Sequence, residues 1–331
     1  MRVFHWPDGP RPPAGERLLA VGAFDGLHLG HRHVIEQLIG DARRRAWLAC
    51  LVTFEPLPAQ VFASDPPHNL RLTTGPERLD LLARLGLDEV CVLDFARPEL
   101  RALTAEAFLR EIAVGWLAAT GLLGSASHTM GSDQRPWPVL AELARAAGLE
   151  VFDVGPVTLS STLISSTRIR QLVWQGRVSE AAELIGRDYT AAGPVVGGTG
   201  TGRTIGFPTL NLDLSPDKLL PANGVYAGWA AGDVLGPGPL TVPLAGRAWP
   251  AATNIGTCPT RAAGPAAADR TVEAFLLDWH GDAAGEPVLL GFTQRLRSEQ
   301  PFPDLRALRD QIARDVLRTG EIAARRYAPR A

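Results

Sequence analysis

The sequence almost lacks lysine. Of its 33 basic side chains only Lys218 is a lysine, and the rest are arginine. Arginine stays protonated and forms no Schiff base, so any lysine-dependent chemistry must use Lys218 or be abandoned. Cysteine is equally sparse: Cys50, Cys91 and Cys258 stand far apart without a CxxC. That excludes a disulfide framework and a zinc-cysteine cluster, and it fits a reducing cytoplasm. No apolar run reaches the roughly 18 residues of a membrane helix. The opening MRVFHWPDGPRPPAGER has no apolar core of a secretory leader. Neither charge sign dominates: 33 basic against 35 acidic residues give a net charge of −2, which argues against a broad electrostatic grip on nucleic acid.

What is present is a soluble-type composition, 46% hydrophobic and 21% charged, over a length of 331 residues that suits two domains. The first half alternates apolar runs with helical patterns. Strands are expected at Arg17–Phe24, Ala49–Phe54, Glu89–Leu93, Gly121–Gly124 and Leu149–Val154. Helices are expected at His31–Trp47, Pro76–Leu85, Thr104–Leu117 (with Thr104 as N-cap) and Val139–Ala147. Such alternation predicts an α/β unit with a parallel sheet. One helical segment, Thr167–Ile185, bridges to a different texture beyond Gly186. There, short runs at Val225–Ala230, Ala251–Ile255, Thr271–Trp279 and Val288–Leu296 between Gly/Pro turns predict an antiparallel sheet or barrel. A final amphipathic helix starts at Leu305 and runs to Leu317. The division falls at residues 1–186 and 187–331.

Two segments of the first unit carry chemistry. In Gly22-Ala-Phe24-Asp25-Gly26-Leu-His28-Leu-Gly30-His31 a strand ends, the chain turns through glycines, and a helix opens at two histidines. Helix-start N–H groups and imidazole donors suit a nucleotide phosphate and charge developing at its α-phosphorus. A helix cap, or a metal site using His33 as well, remains the alternative. At the far end, Ile164-Ser165-Ser166-Thr167-Arg-Ile-Arg170 offers hydroxyls and guanidinium groups as a second anion-binding set, expected to meet the first across the carboxyl edge of the sheet.

The second unit opens with Gly197-Gly-Thr-Gly200-Thr-Gly202-Arg203-Thr204. It comes close to a P-loop, but Ile205-Gly-Phe-Pro208 blocks the helix that motif requires. Its backbone N–H groups can still cradle phosphates, or it is simply a hairpin turn. Thr209 and Asn211, two apart on an extended segment, share a side and are hard oxygen donors suited to Mg²⁺ carried with phosphates. Glu273 shares a strand face with Phe275 and Leu277. A carboxylate on an apolar face has its pKa pushed up and suits a general base, unless it is an edge-strand residue.

These residues resemble the bacterial bifunctional riboflavin kinase/FAD synthetase family from about Leu18 to Asp315. The resemblance rests on GAFDGLHLGH, TFEP at Thr53–Pro56, RLTT at Arg71–Thr74, ISSTRIR, GRTIGFPTLN, LPANGVYA, NIGTCPT and VEAFLLD. It implies a nucleotidyltransferase-type, Rossmann-like α/β domain that makes FAD from FMN and ATP. It also implies a riboflavin kinase-like antiparallel β-barrel with a closing helix that makes FMN from riboflavin and ATP. Carried over by position, Thr209 and Asn211 become Mg²⁺-ATP residues and Glu273 the kinase base. His28 and His31 become phosphate-contacting histidines, and Ser165, Ser166, Thr167 and Arg170 the second nucleotide motif. Gly22, Phe24, Asp25, Gly26 and Gly30 fall in the first nucleotide loop, and Gly200, Gly202, Arg203 and Pro208 in the kinase loop. Two departures stand out. Leu57-Pro58 follows TFEP where the family has His-Pro. A family G-x-D-F-R-F-G segment is reduced to Gly131-Ser-Asp133-Gln-Arg135-Pro-Trp137, unless Gly124 is its first glycine. The second departure keeps open a chain that is a riboflavin kinase only, with an impaired or regulatory first domain.

Overall fold

The apolar runs of the first half become strands of one parallel sheet. The structure, a computed structural model, describes all residues except 127, 156, 157, 160, 161, 199, 258–269 and 328–331. The strands are β1 (Arg2–Trp6), β2 (Arg17–Val21), β3 (Leu48–Glu55), β4 (Glu89–Asp94), β5 (Ala119–Ser125) and β6 (Glu150–Val154). They pair in parallel in the order β1-β4-β3-β2-β5-β6. The strand order reverses between β2 and β5, so the carboxyl ends of these two strands form the crevice where such sheets hold ligands. Helix α1 (Leu29–Arg44) packs Ile35, Leu38 and Ala42 against one face, and Arg43 and Arg44 complement its C-terminal dipole. Helix α2 (Gly75–Ala83) starts in a capping box, with the Thr74 hydroxyl on the Glu77 N–H and the Glu77 carboxylate on the Thr74 N–H. Helix α3 (Trp137–Ala146) covers the other face with Trp137, Leu140 and Ala144. Thr104 caps its helix as expected, and that helix continues in π geometry over Leu109–Trp116. At the amino edge of the sheet, Arg17 and Glu89 form a fully buried ion pair (Nε–Oε2 2.6 Å), shared with Arg2.

The chain divides into two compact units, Met1–Thr167 and Arg168–Ala331. The expected bridging helix is two helices, α4 (Ser166–Trp174) and α5 (Val178–Ile185). The break falls at Gly176, whose φ of +76° lies in the left-handed region a helix cannot continue through. Beyond Gly186 come β7 (Tyr189–Val196), β8 (Leu210–Leu212), β9 (Gly224–Ala231), β10 (Leu240–Val242), β11 (Gly246–Thr257), β12 (Arg270–Leu276) and β13 (Pro287–Arg297). Six of them close a barrel in the order β9-β13-β7-β8-β12-β11, because β9 also pairs with β11; β10 extends β11 as a hairpin. The closing helix α6 runs from Leu305 to Tyr327, longer than its apolar spacing indicated. Its end is fixed by a buried Asp188 carboxylate that accepts from Trp229 Nε1 (2.8 Å), Thr293 Oγ1 (2.9 Å), Arg326 Nη2 (2.8 Å) and the Tyr327 hydroxyl.

Lys218 is 4% exposed, with its ammonium 4.8 Å from the centre of the Tyr189 ring. Cys50 and Cys91 are buried free thiols, and Cys258 lies outside the described residues. Among the described residues no helix is long and apolar enough to cross a membrane.

Candidate active sites

In the first unit the chain leaves β2 at Val21 and enters α1 at Leu29 through a turn in which Phe24 and Leu27 hold φ of 48° and 41°. Left-handed backbone costs a non-glycine residue about 1–2 kcal/mol, so this turn needs external support. Asp25 supplies it. Its fully buried carboxylate accepts from the Leu72 and Thr73 N–H groups (both 2.9 Å) and from the Thr73 hydroxyl (3.0 Å). Gly26 N–H donates to the same hydroxyl (3.1 Å). From the other side Ser166 Oγ donates to the Asp25 carbonyl (3.0 Å), which joins the two anion-binding segments as the sequence led one to expect.

His28 is the N-cap of α1, its Nδ1 accepting from the His31 N–H at 3.2 Å. An accepting Nδ1 leaves Nε2 as the donor of a neutral ring. The two imidazoles stack at 3.6 Å between centroids and 16° between planes. The capping reading and the phosphate reading of this pair are therefore compatible. Gly22, Phe24, His28, Gly30 and His31 line one side of a cavity of about 340 Å³ that Ser165 and Ser166 also line. Thr167 is exposed in the first turn of α4, and Arg170 is buried on that helix. Asp25 and Gly26 brace the loop; Asp25 spends its carboxylate inside the protein. His33 is exposed on α1.

The sequence departures have structural answers. Leu57 is 1% exposed and packs as an apolar residue. Glu55 before it accepts from Arg71 (2.7 Å) and Arg78 (2.9 Å), two buried arginines that brace the RLTT segment. Of the two glycines that could open the reduced segment, Gly124, at the carboxyl end of β5, lines the cavity, whereas Gly131 lies in a turn at φ +84°. Asp133 there accepts from the Ala105 N–H (2.9 Å) and from Arg135, contacts that hold its carboxyl below the usual range and serve the fold.

In the second unit the strands bring together what the sequence left apart. Register places Asn211 opposite Glu273, and Glu273 opposite Asn254, on β8, β12 and β11. Directly paired residues project from the same face, so an amide, a carboxylate and an amide form a row. Glu273 is half-buried, and desolvation pushes its carboxyl pKa up, as the apolar strand face implied. Thr209, Asn254 and Glu273 open onto a cavity of about 300 Å³ walled by Phe207, Phe275 and Phe302. Across it Arg297 contacts Asp315 of α6 at 2.9 Å. The glycine-rich loop makes only one helical turn, Thr201–Thr204, with Gly200 before it at φ +74°; Gly202 lines the cavity, while Arg203 and Pro208 are exposed. A Cβ on Gly198 would stand 2.2 Å from the Asn211 amide, so the loop backbone lies directly on that side chain.

That cradle tests the fit of Mg²⁺. Among the described residues no three His, Cys, Asp or Glu side chains gather as a metal cage. Thr209 and Asn211 instead offer neutral oxygens beside open loop backbone, a donor set that fits a cation arriving on phosphates. Sequence reasoning missed Asn254, although its period-two place opposite Glu273 lay within the NIGTCPT match.

A family model described as FAD synthetase matches residues 12–168, and one described as riboflavin kinase matches residues 185–323. The chain is 33% identical over 305 residues to the bifunctional riboflavin kinase/FMN adenylyltransferase of Escherichia coli strain K12, covering 92% of each. To the Listeria monocytogenes protein of the same description it is 30% identical over 301 residues, 90% of each. A crystal structure of a macrolide-efflux protein from Streptococcus pneumoniae superposes with a TM-score of 0.81 at 27% identity, covering 99% of this chain and all of that one.

Proposed function

Because the chain belongs to the bifunctional riboflavin kinase/FMN adenylyltransferase family, we propose that it converts riboflavin to FMN and FMN to FAD, consuming one ATP in each step. Residues 187–331 are assigned to the first step and residues 1–186 to the second. The observation that carries the reading is that each unit holds its own cavity with one step's groups on its wall: Glu273 with Thr209 in one, the His28–His31 pair with Ser165 and Ser166 in the other.

In the barrel the ribityl 5′-hydroxyl attacks the γ-phosphorus of ATP, Glu273 takes the hydroxyl proton, and ADP leaves. A raised pKa makes Glu273 a better proton acceptor, and the Asn211 and Asn254 amides on either side fix its row. Phe207, Phe275 and Phe302 supply flat apolar contact for the isoalloxazine. Thr209 and Asn211 would hold Mg²⁺, which when bound neutralises phosphate charge. In the first unit an FMN phosphate oxygen attacks the α-phosphorus of ATP and pyrophosphate leaves. His28 and His31 stabilise the charge that builds there, with Ser165 and Ser166 as further donors. No lysine is needed in either step. Free buried thiols and ATP as co-substrate support a cytoplasmic setting.

The test is separation of riboflavin, FMN and FAD after incubation with ATP and Mg²⁺, begun once from riboflavin and once from FMN. FAD from both starts is expected; FMN without FAD would leave a kinase alone.

A further inference from the structure

The cavity of the first unit has a second end that the phosphate chemistry does not use. Leu123, Gly124 and Ser125 at the carboxyl end of β5 line it together with His128 and Gly155. His128 is held by its backbone N–H on the Ser125 carbonyl (2.8 Å). Its imidazole lies parallel to the Trp137 indole, 6° between planes and 6.1 Å between centroids. Trp137 is itself buried, 5% exposed, with its Nε1 donating to Asp153 at 2.6 Å. It lies so close over β5 that a Cβ on Gly124 would stand 2.1 Å from its ring. Strand, indole and imidazole thus form a layered stack whose outermost member lines the cavity.

We propose that His128, backed by Trp137, is the wall against which the adenine ring of ATP packs in the adenylyltransferase cavity, and so sets its nucleotide preference. The inference rests on the adenylyltransferase reading and adds to it a residue that the sequence motifs do not contain. The argument for adenine over isoalloxazine is connectivity. The α-phosphate at His28 and His31 is joined to adenine through one ribose. The flavin ring is separated from the same phosphorus by a ribityl chain and its own phosphate. A single cavity of about 340 Å³ that holds both the histidine pair and His128 therefore matches the nearer ring. Burial pushes the His128 pKa down to about 4, so the imidazole is neutral at working pH and offers a flat face without adding charge.

The experiment measures steady-state FAD formation with ATP and FMN varied separately, and FMN formation from riboflavin with the same ATP series, for the full chain and its variants. For His128→Ala the ATP KM in FAD formation is expected to rise about 3- to 10-fold, the worth of one aromatic contact. The FMN KM, the kcat and the kinase reaction stay within about twofold, inside the scatter of such measurements. His128→Phe restores the ATP KM. Trp137→Phe, which tests Trp137 as a positioning residue, raises that KM without lowering kcat and is not rescued by more FMN. The preference for ATP over CTP should narrow in His128→Ala. An ATP KM indifferent to both His128 substitutions, or a rise confined to FMN, overturns the wall. No FAD from the unaltered protein overturns the adenylyltransferase reading itself, a separate outcome.

Discussion

Glu273 shows how one side chain acquires its chemistry from its neighbours. Burial raises its pKa, while Asn211 and Asn254 flank it across two strand pairings. Glu273→Gln keeps the shape and removes the proton acceptor. FMN formation should fall by two or more orders of magnitude, about the worth of a general base, while FAD formation from FMN is retained. Unchanged kinase turnover would remove Glu273 from its role. The sign of the pH effect follows from the same burial. Glu273 must be ionised to act, so kinase kcat/KM falls as pH drops through its pKa. Because that pKa is raised, the fall starts at a higher pH than for an exposed glutamate. The limb should be absent from FAD formation, which a pair of pH profiles would reveal. At this scale the sequence was informative where a residue type is rare for its surroundings. A glutamate between apolar neighbours drew notice, whereas Asn254 is an ordinary residue that only strand register sets beside it.

Among elements, the β2–α1 turn depends most on its supports. Two left-handed non-glycine residues are held there by the Asp25 carboxylate, which joins the turn to the start of α2. Asp25→Ala would strand two buried N–H donors at a cost of about 1–3 kcal/mol each. FAD formation should collapse and the first unit should unfold several degrees earlier, with kinase turnover retained; an unchanged melting curve with full FAD synthesis would refute the bracing. The inner strands of the parallel sheet were legible because strands buried on both faces are almost continuously apolar. β1 was not, since Arg2, His5 and Trp6 interrupt the pattern at a sheet edge. β7 escaped because Ala191, Ala192, Gly193 and Pro194 at its centre are poor strand formers, ordered by their pairing with β13 rather than by propensity. The break at Gly176 within an otherwise helical stretch was legible only as a glycine.

For the whole molecule, a separate cavity in each unit predicts that the two steps can be carried by different chains. A mixture of His28→Ala and Glu273→Gln chains should convert riboflavin to FAD, after a lag in which FMN accumulates. Failure of the mixture, with each variant's remaining step intact, would mean that FMN cannot pass between chains. The broad division into an α/β unit and a β unit could be read from the change in texture near Gly186. Closure of the barrel was implied by the family resemblance and not by texture, because apolar runs do not say that β9 pairs with both β11 and β13. Lys218 has a consequence of another kind. With the sequence's single lysine ammonium shut beneath the Tyr189 ring, an amine-directed label should be kept from Lys218 while the barrel unit is folded. Label appearing at Lys218 on heating or in denaturant therefore marks the opening of the barrel unit.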